Sequence, residues 1–258
     1  MACGLEWRLH SNDACGFAAR IRNMTGNATT PKLCYVTDRR SLPGAEGSGD
    51  AVSAAQLISS IERAVAGGTD WIQVREKDLE ARALEALVRR AVGASGGRAR
   101  ILVNDRLDVA LAAGADGVHL GETSLPVARV AAWRASSGRD KFAIGASCHS
   151  AEAVRAAERA GADYVFFGPV FATPSKSSFG SPQGPERLAA ACRGARIPVL
   201  AIGGITQSNA AECFAAGAAG IAAIRMFQQE ADLTEIVAKL HALGPAGMRE
   251  NFSEESSR

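Results

Sequence analysis

Residues 161–184 read GADYVFFGPVFATPSKSSFGSPQG. The run Tyr164–Phe167 is apolar and aromatic without alternation, the pattern of a strand covered by helices on one side and core on the other. Gly168 and Pro169 end it, since proline lacks a ladder donor and glycine weakens a strand interior. A long polar loop carrying Thr173, Ser175 and Lys176 follows before the next helical pattern at Pro185. Strand-to-helix loops usually run about 2–6 residues, so this length calls for a task or for disorder. Two hydroxyls and an ammonium among small residues suit a phosphate-bearing ligand; composition alone also admits a solvated Ser/Gly loop.

Outward from this stretch the same unit repeats. Strands are predicted at Leu33–Thr37, Trp71–Val74, Ile101–Asn104, Val118–Leu120, Phe142–Ser147, Pro198–Ile202 and Ile221–Ile224. Helical patterns alternate with them at Ala51–Ala66, Leu79–Val92, Leu107–Ala113, Pro126–Ala135, Ala151–Ala160, Pro185–Arg193, Asn209–Ala216 and Leu233–Leu243. In the first of these Leu57, Ile58, Ile61 and Val65 share a face, and Pro126 is expected at a first helical position. Gly114-Ala115-Asp116-Gly117, Gly161-Ala162-Asp163-Tyr164 and Gly217-Ala218-Ala219-Gly220 recur where a helix returns to a strand, and Gly67-Gly68-Thr69-Asp70 holds the same place before the second strand. Glycine there fits a left-handed helix end. Eight such units without a break predict a single α/β domain, a (β/α)8 TIM barrel over 33–243. The alternative, an open doubly wound sheet, lacks its glycine-rich phosphate turn after the first strand. Residues 1–32 read as an N-terminal extension, with natural initiation at Met24 as one expectation, and 244–258 as a disordered tail.

The 258 residues are 47% hydrophobic and 22% charged, with a formal charge of +2. Basic and acidic residues are interleaved and aromatics stand at 5%, so neither a basic face nor a stacking platform for nucleic acid is expected. No apolar run approaches the roughly 20 residues of a membrane helix, and no signal-peptide core is visible near Met1. The six scattered cysteines form no C-x-x-C pair and read as free thiols of a cytoplasmic protein.

In a barrel of this kind the site lies at the C-terminal strand ends. At the second, Gln73, Arg75 and Lys77 share one face by period two, while Ile72 and Val74 take the other. Two cations and an amide at the mouth ask for an anion; the other reading has these charges pairing with Glu76 and Asp78. Asn104-Asp105 ends the third strand, and Asp105 suits either a helix cap or Mg²⁺. Glu122 follows the fourth. Ser147, Cys148 and His149 end the fifth, with His149 open to proton transfer or to a structural hydrogen bond. Gly203 and Gly204 end the seventh and let backbone N–H groups approach an anion; Ile224 and Arg225 end the eighth. Two anion sites result, as a catalyst joining two phosphorylated small molecules would need.

The residues Tyr35-Val36-Thr37-Asp38, Gln73-x-Arg75-x-Lys77, Asn104-Asp105, Gly117-Val118-His119-Leu120-Gly121, Ser147-x-His149, Gly168-Pro169-Val170-Phe171-x-Thr173-x-Ser175-Lys176 and Ile202-Gly203-Gly204-Ile205 resemble the thiamine-phosphate synthase family, close kin of the thiazole tautomerases. The resemblance runs from about Leu33 to Phe227. It implies a barrel that couples a hydroxymethylpyrimidine diphosphate to a thiazole phosphate with Mg²⁺, forming thiamine phosphate and pyrophosphate. It implies that Gln73, Arg75, Lys77, Asn104, Ser147 and Lys176 hold the pyrimidine diphosphate, with Arg75, Lys77, Ser147 and Lys176 assisting its departure. Thr173, Pro174, Ser175, Gly204, Ile224 and Arg225 would hold the thiazole phosphate, and Asp105 the metal. The family's second metal aspartate is replaced by Ser124, and an extended segment would let Glu122 substitute. Arg225 stands where the family usually has serine. A thiazole tautomerase working through His149, or a non-catalytic phosphometabolite-binding regulator, are the other functions this pattern admits. The oligomeric state is open.

Overall fold

The structure is a computed structural model that describes residues 30–44, 50–173, 181–230 and 232–244. These residues form a closed barrel of eight parallel strands in sequence order. The strands are β1 Lys32–Val36, β2 Trp71–Val74, β3 Arg100–Asn104, β4 Gly117–Leu120, β5 Ala143–Cys148, β6 Tyr164–Phe167, β7 Val199–Ile202 and β8 Gly220–Ala223. Between them lie α1 Asp50–Ala66, α2 Ala81–Ser95, α3 Leu107–Ala113, α4 Val127–Ser137, α5 Ala151–Arg159, α6 Gly184–Arg193 and α7 Ala210–Ala215; α8 Arg225–Gln229 and α9 Leu233–Ala242 follow β8. The expected (β/α)8 barrel is the observed one. The outer portions of the expected extensions, residues 1–29 and 245–258, and with them Met24, lie outside the described residues.

Strand alternation divides the apolar residues into two cores. Tyr35, Ile72, Val74, Ile101, Val103, Val118, Val165 and Phe167 face the helices, and Leu57, Ile58, Ile61 and Val65 of α1 pack among them as their spacing predicts. Cys34, Val36, Trp71, Leu102, Ala143, Tyr164, Phe166, Leu200 and Ala222 fill the barrel. Each large side chain so buried contributes about 1.5–3 kcal/mol. Room inside is scarce. A Cβ on Gly145 would stand 2.1 Å from the Tyr164 ring, so glycine at that position is what admits a tyrosine to the interior.

The recurrent Gly-x-Asp returns do two jobs. Gly68, Gly114 and Gly161 take positive φ (91°, 72° and 97°), where a Cβ would be strained. The aspartate that follows reaches back to the preceding strand: Asp70 accepts the Leu33 N–H at 2.9 Å, Asp116 that of Ile101 at 2.7 Å, and Asp163 that of Ile144 at 2.8 Å. One carboxylate thus pins the start of each of β1, β3 and β5. The fourth return has Ala219 instead, and its backbone carbonyl accepts the Lys32 N–H at 2.9 Å.

Some boundaries differ from expectation. Pro126 is the residue before α4, with ψ 133°, rather than its first helical residue. The second helix begins at Ala81, not Leu79, and β5 begins at Ala143, not Phe142. The eighth strand stops at Ala223; Ile224 and Arg225 are the cap and first residue of α8, a helix the sequence reading does not contain. After β6 the Gly168–Pro169 peptide is cis, and the chain stays on β7 as Val170 and Phe171 donate to the Ile202 and Gly203 carbonyls at 2.9 and 3.0 Å.

Candidate active site

Gln73, Asn104, His119 and Ser147 share the strand parity of the barrel-filling residues Trp71, Leu102 and Ala143, so they project inward at the C-terminal end. Gln73 Nε2 donates to Asn104 Oδ1 at 3.0 Å, and Asn104 Nδ2 donates to Asp105 Oδ2 at 2.7 Å. Asp105 has φ 61°, rare for a residue with a side chain. Its carboxylate does not cap α3, whose cap position is Arg106. It turns across to β4, where Oδ1 accepts the Gly121 N–H at 3.2 Å and the Ser124 hydroxyl. His119, fully buried, bonds Tyr164 on one side and Ser147 on the other, with Nδ1···Oη 3.1 Å and Nε2···Oγ 3.0 Å. In the sequence His119 stands alone on a strand, and that position carries no signal of these partners.

Glu122 departs from expectation. Residues 121–124 form a turn rather than an extended segment, because Ser124 Oγ accepts the Gly121 N–H at 2.7 Å and the Ser124 N–H donates to the Gly121 carbonyl at 3.2 Å. The turn parts the two side chains. Ser124 meets Asp105, while the exposed Glu122 has its Oε1 3.7 Å from His149 Nε2. His149 Nδ1 in turn bonds the Gly168 carbonyl, so this histidine joins the loops after β4, β5 and β6. Among the described residues no three His, Cys, Asp or Glu side chains converge as a metal cluster. Asp105 and Ser124 nonetheless present oxygen donors only, and Mg²⁺ commonly takes one or two carboxylates and completes its shell with water and substrate phosphate. The donor set fits that ion.

Arg75 and Lys77 lie just beyond the end of β2, the first half-buried and the second exposed. Their neighbouring carboxylates are engaged elsewhere. Glu76 points to the helix side and is buried with Arg39, whose Nη1 lies at 3.2 Å, and accepts the Thr37 hydroxyl at 2.6 Å. Asp78 meets Arg39 Nη1 and Arg40 Nη2, each at 2.6 Å. Burial pushes the Glu76 carboxyl up despite these bonds. The Arg39 guanidinium holds Asp78 down at about 2. Among the described residues neither Arg75 nor Lys77 is ion-paired, so the reading that matched them with Glu76 and Asp78 does not hold. Pro174, Ser175 and Lys176 lie outside the described residues.

A cavity of about 590 Å³ opens at the ends of the last strands, and Thr173, Gly204, Ile224 and Arg225 line it, as do Asp38 and Ser41 from the loop after β1. Gly203 and Gly204 have φ of 97° and 65°. A Cβ on Gly204 would stand 2.4 Å from the Ala172 carbonyl oxygen, so the loops after β6 and β7 close upon each other only with glycine there. Gln228 of α8 is fully buried: its Nε2 donates to Tyr35 Oη and the Asp38 carbonyl at 3.0 and 2.9 Å, and its Oε1 accepts the Ser41 hydroxyl at 2.8 Å. Residues 37–41 therefore tie β2 to α8, spanning both halves of the mouth. Nothing in their local sequence marks Ser41 and Gln228, and Asp38 is marked only as part of the Tyr35–Asp38 motif, with no role attached to it.

Inward-facing amides, a carboxylate and a hydroxyl at the ends of β2, β3 and β5, with a glycine-walled hollow under the loops of the last three strands, place the site at the barrel mouth, as in enzymes of the (β/α)8 class. Within that class the chain belongs to the thiamine monophosphate synthase family, whose model matches residues 47–227. The thiamine-phosphate synthase of Chlorobium luteolum is 42% identical over 201 residues, covering 76% of this chain and 84% of that protein. A protein of Geobacter sulfurreducens, provisionally assigned to the same activity, is 45% identical over 221 residues, 84% of this chain and 96% of its own length. Among solved structures, thiamine phosphate pyrophosphorylase from Pyrococcus furiosus superposes with a TM-score of 0.68 at 32% identity, over 84% of this chain and 96% of that one. No helix among the described residues is long and apolar enough to cross a membrane.

Proposed function

We propose that this protein couples 4-amino-2-methyl-5-(diphosphooxymethyl)pyrimidine to 4-methyl-5-(2-phosphooxyethyl)thiazole, releasing pyrophosphate and forming thiamine phosphate. The observation that carries the reading is the chain of bonds Gln73–Asn104–Asp105 at the ends of β2 and β3, together with a separate cavity lined by Gly204 and Arg225 beyond the ends of β7 and β8. Two anionic substrates need two such places. In the reaction the bond between the pyrimidine methylene and the diphosphate oxygen breaks, and its electron pair leaves with pyrophosphate. The thiazole ring nitrogen then supplies the lone pair of the new C–N bond. No proton transfer is required, so the protein's contribution is orientation and charge stabilisation. Arg75, Lys77 and Lys176 neutralise the departing diphosphate; Gln73, Asn104 and Ser147 donate hydrogen bonds to the pyrimidine substrate. Thr173, Pro174, Ser175, Gly204, Ile224 and Arg225 receive the thiazole phosphate.

Asp105, with the Ser124 hydroxyl beside it, is the residue that would hold Mg²⁺, which when bound supplies further neutralisation of the diphosphate. Glu122 is the weaker candidate, because its carboxylate accompanies His149. The test is pyrophosphate release on mixing both substrates, with Mg²⁺ and with chelator. No release, together with an ultraviolet change on the thiazole phosphate alone, would instead make His149 the proton carrier of a tautomerase. Binding without turnover would leave a regulator.

A further inference from the structure

Tyr164 and His119 form a polar pair among the largely apolar side chains that fill the barrel. Both are almost completely buried. Their rings pack tilted against neighbours, His119 on Phe166 at a centroid distance of 4.2 Å and Tyr164 on Trp71 at 4.8 Å. Among the described residues the Tyr164 hydroxyl has one polar partner, His119 Nδ1 at 3.1 Å, and Ser147 Oγ has one, His119 Nε2 at 3.0 Å. Burial holds the phenol well above its ordinary range, so its proton stays on oxygen.

That proton decides the order of the whole chain. A buried O–H without an acceptor is costly, and Nδ1 is the acceptor within reach only if it carries no hydrogen. The opposite arrangement, with Nδ1–H donating to the phenol, leaves the Tyr164 proton without an acceptor among the described residues. We infer that Tyr164 is a positioning residue: it fixes His119 as the Nε2–H tautomer, which donates to Ser147 Oγ and so leaves the Ser147 proton directed at the bound diphosphate. The inference rests on the reading of Ser147 as a diphosphate contact. Without Tyr164, the serine can turn its proton inward to Nε2 and be lost to the substrate. Gly145 belongs to the same device, since its missing side chain makes the space in which the phenol stands.

Tyr164→Phe keeps the ring and removes only the hydroxyl. It is expected to lower kcat about tenfold, the value of one oriented hydrogen bond, with KM for both substrates within about twofold. Ser147→Ala with Tyr164→Phe should be no slower than Ser147→Ala alone, because one pathway carries both effects. Nitrogen NMR of histidine-labelled wild-type protein, with His119 assigned among the four histidines by its substitution, should find the proton on Nε2. A proton on Nδ1 overturns the inference. So does a Tyr164→Phe enzyme with wild-type kcat, or a double variant slowed by the product of the two single effects. Wild-type protein that releases no pyrophosphate refutes the proposed activity instead, and the NMR result then judges the Tyr164–His119 order by itself.

Discussion

The Glu76 carboxylate and the Thr37 hydroxyl meet at 2.6 Å on the helix side of β2, and Thr37 Oγ1 accepts the Arg75 backbone N–H at 2.9 Å. A buried acid that faces away from the barrel mouth thereby sets the backbone from which a mouth cation projects. Arg39 completes the arrangement, giving Glu76 both its main-chain N–H and its guanidinium.

Glu76→Gln tests this. The amide has one acceptor oxygen and turns an N–H₂ group toward donors, leaving the buried Thr37 hydroxyl and Arg39 N–H groups short of an acceptor. Chemical denaturation should register a loss of about 1–3 kcal/mol. The KM for the pyrimidine diphosphate should rise about tenfold while that for the thiazole phosphate stays put. Equal effects on both substrates would mean the contact is merely structural.

The pH dependence of stability separates the two carboxylates on Arg39. Glu76, raised by burial, contributes stability that is complete below its ordinary 4.5 and declines as pH climbs through the elevated value. Asp78, lowered by Arg39 from 3.8 to about 2, contributes stability that is complete above its ordinary value and is lost as pH falls toward 2. Glu76 is protonated in both states in that acid range, so it does not interfere. Asp78→Asn should flatten the stability curve between about pH 4 and about pH 2; an unaltered acid limb would show that Arg39 does not hold Asp78.

Ser124 holds the carboxylate proposed for Mg²⁺. Ser124→Ala should raise the Mg²⁺ concentration at half-maximal rate about tenfold, as the loss of a supporting hydrogen bond does. Ser124→Asp should lower it by adding a second carboxylate. Glu122→Ala should leave it unchanged, since Glu122 accompanies His149. A response to Glu122 with none to Ser124 would reverse the assignment.

Gln228→Met removes three hydrogen bonds from a buried site and leaves Tyr35, Ser41 and Asp38 short of a partner. A loss of about 2–3 kcal/mol is expected in thermal or chemical unfolding. With α8 no longer tied to the loop after β1, the KM for the thiazole phosphate should rise several-fold, and that for the diphosphate should not. Unfolding loss without the selective KM change would confine Gln228 to a structural role.

What could be read beforehand was whatever rests on near neighbours in the chain. The inward direction of Gln73 follows from its place between Ile72 and Val74, because strand side chains alternate. The turn at 121–124 could not be read, since it depends on Ser124 Oγ taking the Gly121 N–H instead of leaving the segment extended. Helix α8 was missed because five residues are too few for a 3.6-residue period to declare itself.

The amino-acid sequence by itself determined the alternation of strand and helix, the two-faced strands, the left-handed glycines at the returns and the presence of amides, cations and hydroxyls at the strand ends. These follow from side-chain period and backbone sterics within a few residues. Only the closed barrel decided that His119 lies between Tyr164 and Ser147, that Asp105 turns to Ser124, and that Gln228 reaches the loop after β1, 187 residues from Ser41. Such partners meet because the last strand pairs with the first. A buried polar group must then take whichever partner that closure puts within hydrogen-bond reach.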